Sequence, residues 1–382
     1  MTDRPVRDSA ELPGLDLGRL QAYLDALPAD SPAGRLVHGP LNRPLHGPLR
    51  GPLRAERVEG GKSNLTYIVS DGESEFVVRR PPLGHVLATA HDMSREFRVM
   101  TALGPTSVPV PSTYALCEDP DVIGAPFYVM QFVSGTVYRG SAQTSALTAP
   151  RATTIAHNVI DVLADLHDVD PAAVGLGDFG RPDGYLRRQV VRWGKQLAAS
   201  RSRDLASIDE LQERLAADIP VSGTPAIVHG DYRLDNAIVD DNDRVAAVLD
   251  WEMATLGDPL ADLGLLLVYW DGVGAMPRGT LNQAVTPDSG FPPGGELIAR
   301  YAERRDVDLG RLPWYHAFGF FKLAVISEGI HYRYSQGQTV GGGFAHIGDV
   351  VVPLAERGLA VLRGEPIDGT SVTHSPTDQH AH

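Results

Sequence analysis

The chain has 382 residues, 43% of them hydrophobic and 21% charged, and its 34 basic side chains face 48 acidic ones for a net charge of −14. This is a globular composition on a chain longer than one average domain, and the acidic balance excludes a nucleic-acid groove, which needs clustered Lys and Arg. The lone cysteine, Cys117, excludes an internal disulfide and fits a reducing cytoplasm; the polar opening MTDRPVRDSAELPG has no signal-peptide core, and no apolar stretch reaches the roughly 20 residues of a bilayer span.

Residues 1–54 read as a peripheral leader. An amphipathic helix is expected over 15–27, with Leu17, Leu20, Tyr23 and Leu24 on one face and Pro28 closing it. The run HGPLNRPLHGPLRGPLR follows, a linker whose prolines favour extended backbone. From Arg54 the pattern changes to strands, the first of them in RAERVE. A Gly-rich turn at 60–64 leads to strands at 66–70 and 75–79 joined by a DG turn. In MSREFRVMTAL, Met93, Phe97, Met100 and Leu103 recur at helical spacing, with Asp92 or Ser94 as cap and Gly104-Pro105 as stop. Strands at 113–116 and 127–132 complete a small antiparallel sheet with one helix over residues 55–133. The texture of residues 134–366 is helical, with helices expected around 155–166, 185–198, 208–217, 294–305, 315–332 and 347–358. One β segment interrupts them: a strand ending at Val228, a short strand at 237–239 and a strand at 245–249. Residues 367–382 form a polar tail, expected to be disordered.

The chemistry is concentrated in His229-Gly-Asp-Tyr-Arg-Leu-Asp-Asn236 and in Leu249-Asp-Trp-Glu252. These place Asp231, Asn236 and Asp250 at strand ends, where they can converge. Oxygen ligands from a few side chains, completed by phosphates and water, are what Mg²⁺ prefers. An Asp five residues before an Asn can instead face a hydroxyl and accept its proton. A base in the loop, an Asn for metal and a later Asp for metal make the layout of phosphoryl transfer.

At these residues the sequence resembles the aminoglycoside phosphotransferase family of protein-kinase-like enzymes, whose catalytic loop H-G-D-x-x-x-x-N stands complete as His229, Gly230, Asp231 and Asn236. GGKSNLTY, FVVRRPP, REFRVM, LADLHDVD, YLRRQVVRW and VLDWEMATLGDP look like the kinase-like domains often associated with acyl-CoA dehydrogenases. The resemblance covers about residues 55–360. It implies an α+β, bilobal protein-kinase-like fold, with a small antiparallel-sheet N-lobe and a larger, mostly helical C-lobe. It also implies ATP and Mg²⁺, with Asp231 as catalytic base and Asn236 and Asp250 as metal ligands. Glu252 would touch a second metal or fix the Asp250 loop, and Asp258 and Asp262 would brace the catalytic loop. Gly60, Gly61, Ser63 and Asn64 would cover the phosphates, and Gln131 and Val133 would bind adenine through backbone atoms.

The family's strand lysine is replaced. Arg79 stands at the aligned position, Arg80 follows it, and Glu96 is the helix partner. Alternation sends the two arginines to opposite faces, so one can hold phosphate, and the register favours Arg79. The acceptor is a small-molecule hydroxyl, and the chain is expected as a monomer or homodimer with no nucleic-acid or membrane partner. The subgroup resemblance implies a hydroxyacyl-CoA or hydroxy acid, with Arg187, Arg188, Arg192, Lys195, Lys322 and Arg333 as candidate phosphate contacts. An aminoglycoside or choline would use carboxylates or aromatic surface from Trp193, Trp270 and Trp314. A pseudokinase without turnover is the reading that Arg79 favours.

Overall fold

Alternating residues in Leu65–Ser70 and Thr113–Cys117 and continuous apolar runs within Glu75–Arg80 and Phe127–Gln131 build the sheet of the first of two units. The structure is a computed structural model and describes residues 12–27, 49, 51–58, 64–83, 92–274, 276, 281, 283–338 and 344–365. One unit comprises Met1–Gly135 with Ala246–Ala254, the other Thr136–Val245 with Thr255–His382.

In the first unit, β1 (Arg54–Arg57), β2 (Leu65–Ser70), β3 (Glu75–Arg80), β4 (Thr113–Cys117) and β5 (Phe127–Gln131) form an antiparallel sheet in the order β1-β2-β3-β5-β4. Thr66 pairs with Arg79, and Arg79 with Tyr128. Among the described residues two helices serve this unit, α1 (Leu17–Asp25) and α2 (Met93–Leu103), capped by Asp16 and Asp92, whose carboxylates accept from Arg19 N and Arg95 N. Alternation divides the sheet between them. Phe76, Val78, Phe127 and Val129 share a core cluster with Leu20 and Leu24 of α1, while α2 packs on β4 and β5.

The leader helix is therefore no peripheral segment. Leu20 is fully buried, the Tyr23 ring meets Phe127 edge-on at 5.4 Å, and the Tyr23 hydroxyl donates to Leu116 O. Leu20→Ala is expected to lower the unfolding free energy of this unit by about 2–5 kcal/mol, the cost of a core cavity. Denaturant titration checks it, and a loss within about 0.5 kcal/mol, as at surface positions, would show that α1 is dispensable.

β8 (Val245–Val248) carries the chain back into the first unit. There Val248 N donates to Pro109 O, the Trp251 indole is fully buried and donates to Val248 O, and Arg95 donates to Ala254 O. The segment bearing Asp250 and Glu252 is thus anchored beside α2.

The second unit holds α3 (Ser141–Thr144), α4 (Ala149–Asp168), α5 (Tyr185–Ser200), α6 (Ala206–Ala217), α7 (Leu260–Leu267), α8 (Gly294–Arg304), α9 (Leu312–Ser335) and α10 (Val351–Leu362). β6 (Ala226–Val228) pairs antiparallel with β9 (Thr255–Gly257), and β7 (Ala237–Val239) lies between them in sequence. α9 packs on α7 and α10. Its crossing with α7 depends on glycine: a Cβ at Gly264 would come within 2.5 Å of the Tyr315 backbone. That approach sets Lys322, one turn beyond Phe318 on α9, against the loop that follows β6.

Candidate active site

Arg79 and Arg80 leave β3 on opposite faces. Arg80 turns toward the leader and donates to the carbonyl oxygens of Gly14 and Ile123. Arg79 turns toward α2, where its Nε lies 3.1 Å from Glu96 Oε2 and its Nη2 lies 2.5 Å from Asp250 Oδ1. Glu96 is 1% exposed and is satisfied on both oxygens: Asn64 Nδ2 donates to Oε1 at 3.1 Å and Tyr128 OH donates to Oε2 at 2.9 Å. Asn64 also donates to Glu252 Oε2 at 3.2 Å, so one amide ties the two acids.

Burial pushes the Glu96 carboxyl up, against the pull of Arg79. Burial likewise works against the charge on Arg79, but the surrounding Tyr128, Glu96, Asp250 and Glu252 outweigh it and hold the guanidinium above its ordinary range. Asp250 itself has φ +67°, a left-handed conformation that Asp tolerates better than most residues.

Gly60, Gly61 and Ser63 lie outside the described residues. Gln131 ends β5, where its side chain accepts from Ser112 N at 3.2 Å and its backbone N–H donates to Ser112 O. Val133 follows two residues later and is half-buried.

In the second unit the loop after β6 is built around a buried carboxylate. Asp262, at the start of α7, accepts from His229 N at 2.6 Å and from Gly230 N at 2.8 Å, and its Oδ2 lies 3.4 Å from His167 Nε2. Gly230 has φ +83°, a conformation suited to glycine. Burial opposes the Asp262 charge, but the hydrogen bond from His167 and the backbone N–H groups more than offset it and hold the carboxyl below its ordinary 3.8. Its contribution to stability is therefore complete above pH 3.8 and is lost as pH falls through the depressed folded value. In Asp262→Asn that acid-labile component should be absent from the pH profile of unfolding; an unchanged profile would deny the brace.

His229 is fully buried, and its Nδ1 accepts from Asp231 N at 3.1 Å. Asn236 Nδ2 donates to Asp231 O at 2.8 Å and to Asp231 Oδ2 at 3.2 Å, and Arg233 Nε lies 3.3 Å from the same Oδ2. Asp231 Oδ2 thus receives a hydrogen bond from Asn236 and the ion-pair contact of Arg233, while Oδ1 has no donor among the described residues. Arg233 also pairs with Asp235 at 3.1 Å and lies over the Tyr269 ring at 4.7 Å. It is a bridging residue that sequence reasoning missed, since an arginine between two aspartates carries no motif.

Asn236 in the second unit and Asp250 in the first each keep an oxygen of the kind a hard cation takes. The Asn236 amide nitrogen is pinned to Asp231, which leaves its oxygen as an acceptor, and Asp250 keeps one oxygen beyond its bond to Arg79. Among the described residues there is no cluster of three His, Cys, Asp or Glu side chains fit for a metal.

Other expectations change. Asp258 does not brace the catalytic loop; it accepts from Leu260 N and from Tyr315 OH at 2.8 Å, fixing α7 to α9. Trp193, Trp270 and Trp314 offer little aromatic surface, being 3%, 2% and 3% exposed, because each packs in the helical core. Arg187, Arg188, Arg192 and Lys195 are exposed on α5, and Arg188 is spent on the carbonyls of Arg181 and Asp183. His167, bonded to Tyr301 OH at 2.8 Å, is a satisfied core histidine.

Comparison with known proteins agrees with this architecture. Residues 54–297 match the model of the phosphotransferase enzyme family. Acyl-CoA dehydrogenase family member 11 of Rattus norvegicus is 36% identical over 307 residues, 79% of this chain and 39% of that protein. The chain thus spans about two fifths of the length of this curated relative. A solved structure from Ralstonia eutropha JMP134, described as a "putative aminoglycoside phosphotransferase", is 32% identical with TM-score 0.74, covering 91% of this chain and 98% of that one. The aminoglycoside phosphotransferase APH(4)-Ia, solved with AMP-PNP and hygromycin B, is 18% identical with TM-score 0.54 over 81% and 93% of the two chains. The α+β, protein-kinase-like fold expected from the motifs is the fold of these neighbours.

Proposed function

The chain belongs to the phosphotransferase enzyme family, and on that premise we propose that it moves the γ-phosphoryl group of ATP to the hydroxyl of a small molecule, with a hydroxyacyl-CoA or hydroxy acid as acceptor. The observation that carries the reading is the catalytic loop, in which Asp231 presents one oxygen without a donor while its other oxygen is fixed by Asn236 and Arg233. Asp231 Oδ1 accepts the proton of the acceptor hydroxyl as that oxygen attacks the γ-phosphorus and the bond to ADP breaks. Arg79 neutralises phosphate charge from a position set by Glu96. Asn236 and Asp250 would hold Mg²⁺, with Glu252 beside Asp250 in sequence, and the ion would supply electrostatic stabilisation of the phosphates when bound. Asn64 of the Gly-rich turn and the backbone of Gln131 and Val133 hold the nucleotide. We place the reaction in the cytoplasm; no helix among the described residues is long and apolar enough to cross a membrane.

The acceptor class rests on the dehydrogenase relative, which is named for acyl-CoA chemistry, and on the burial of Trp193, Trp270 and Trp314, which leaves a cationic acceptor little of their aromatic surface. A pseudokinase is the second reading, favoured by Arg79, which is committed to two carboxylates. ADP release from ATP and Mg²⁺ against hydroxyacyl-CoAs, hydroxy acids, choline and aminoglycosides separates the two. Turnover on the first two classes is expected. Nucleotide binding without turnover on any class would favour the pseudokinase.

A further inference from the structure

A buried ammonium group is costly unless acceptors surround it. Lys322 of α9 is 6% exposed, and among the described residues its Nζ has one hydrogen-bond acceptor, Gly230 O, with the Trp193 ring centroid 5.4 Å away. An ammonium has three donors, so two of them lack an oxygen. Lys322 lines a cavity of about 20 Å³ together with Tyr185, Gln189, Trp193, Gly230 and Asp262. Trp193, in the same wall, has a buried indole Nε1–H that also lacks an acceptor. Asp262 already receives His229 N, Gly230 N and His167 and shows no hydrogen bond to Lys322 or Trp193. Burial holds the Lys322 ammonium below the ordinary lysine range, with Asp231 and Asp262 pulling it up and Arg192 and Arg233 pushing it further down.

The cavity therefore places two donor groups with unmet hydrogen-bonding capacity, the Lys322 ammonium and the Trp193 indole N–H, next to the residue that precedes Asp231. Its size admits about one water-sized group, so it takes the end of a molecule whose remainder lies outside.

We propose that Lys322 and the Trp193 indole N–H form a subsite for the oxygen on the acyl carbon of the acceptor, a free carboxylate or a thioester carbonyl, and thereby select oxygen-ended acceptors over cationic ones. This deepens the reading given above and rests on it. The subsite makes no covalent bond; it orients the acceptor so that its hydroxyl reaches Asp231.

The test compares wild type with Lys322→Met, Lys322→Arg and Trp193→Phe, using β- and γ-hydroxybutyrate, their CoA thioesters, and choline. Lys322→Met should raise KM for the oxygen-ended acceptors about ten- to hundredfold, the value of a charged hydrogen bond, and leave KM for ATP unchanged. Trp193→Phe should raise it about two- to tenfold, and Lys322→Arg should keep part of the affinity. A larger loss on the free acid than on the thioester identifies a carboxylate as the ligand; the reverse identifies the carbonyl. Thermal unfolding shows which variants fold, and if Lys322→Met does not, the other two carry the comparison. Equal falls in kcat on every acceptor with KM unmoved would overturn the subsite and leave Lys322 as a prop for Gly230. Calorimetric titration of wild type with β-hydroxybutyrate and its CoA thioester separates the two readings. Binding weakened by Trp193→Phe, without turnover, keeps the subsite and sinks the phosphotransferase; no binding of either sinks the subsite, whatever the turnover.

Discussion

Asp231→Asn is expected to lower kcat by about 10²–10⁴-fold, the range for removing a positioned general base, with KM for ATP unchanged. The substitution keeps the size and the hydrogen-bonding oxygen of the side chain, so Asn236 and Arg233 retain a partner and the loop, pinned by Asp262 to the backbone of His229 and Gly230, stays in place. What disappears is the capacity of Oδ1 to accept a proton. Steady-state kinetics on the preferred acceptor measures it. A drop below about threefold would mean that Asp231 positions the acceptor without taking its proton, and a matched rise in KM for ATP would place it in nucleotide binding instead.

The second large effect is on stability. Arg79→Met should cost about 3–5 kcal/mol, because it leaves Glu96, 1% exposed, as a buried charge without its cation. Asn64 and Tyr128 still donate to Glu96, but neutral donors do not replace a guanidinium. Adding Glu96→Gln to Arg79→Met should recover a large part of the loss, since the amide removes the unpaired charge. Denaturant unfolding of the four members of the cycle measures the coupling. A single-variant cost under about 1 kcal/mol, or no recovery in the double variant, would show that the pair is not the clamp between β3, α2 and the Asp250 segment that its geometry describes.

Much of this was legible in the sequence for identifiable reasons. The strand around Thr66 alternates, those around Val78 and Val129 are short apolar runs bounded by polar residues, and α2, α4 and α8 bury one face, so local pattern locates them. Helix α7 was not visible as a helix: all eight of its residues are buried, so the run LADLGLLL has no polar face to reveal a period. β9 is three residues long, too short to show alternation, and it exists because β6 pairs with it. The leader read as peripheral because its helix is followed by a proline-rich run; only the sheet supplies the surface that buries Leu20.

The site divides in the same way. Asp231, Asn236 and Asp250 announce themselves by motif, and the alternation of Arg79 and Arg80 separates their roles before any coordinates. Long-range partners do not. That Asn64 bonds both Glu96 and Glu252, 32 and 188 residues away, is a fact of tertiary packing. Lys322 was one cation among several on predicted helices, and its burial against Gly230 distinguishes it from Arg187 and Arg192, which face solvent.

The most direct test of the account follows the phosphoryl group itself. Wild type and Asp231→Asn would be incubated with γ-labelled ATP, Mg²⁺ and each of the hydroxy acids and CoA thioesters, and the acceptors examined by mass spectrometry for a labelled phosphate ester on the hydroxyl. The account predicts the ester on at least one oxygen-ended acceptor with wild type and its loss in the variant. ATP bound by wild type with no label on any acceptor, or equal labelling by both proteins, would contradict it.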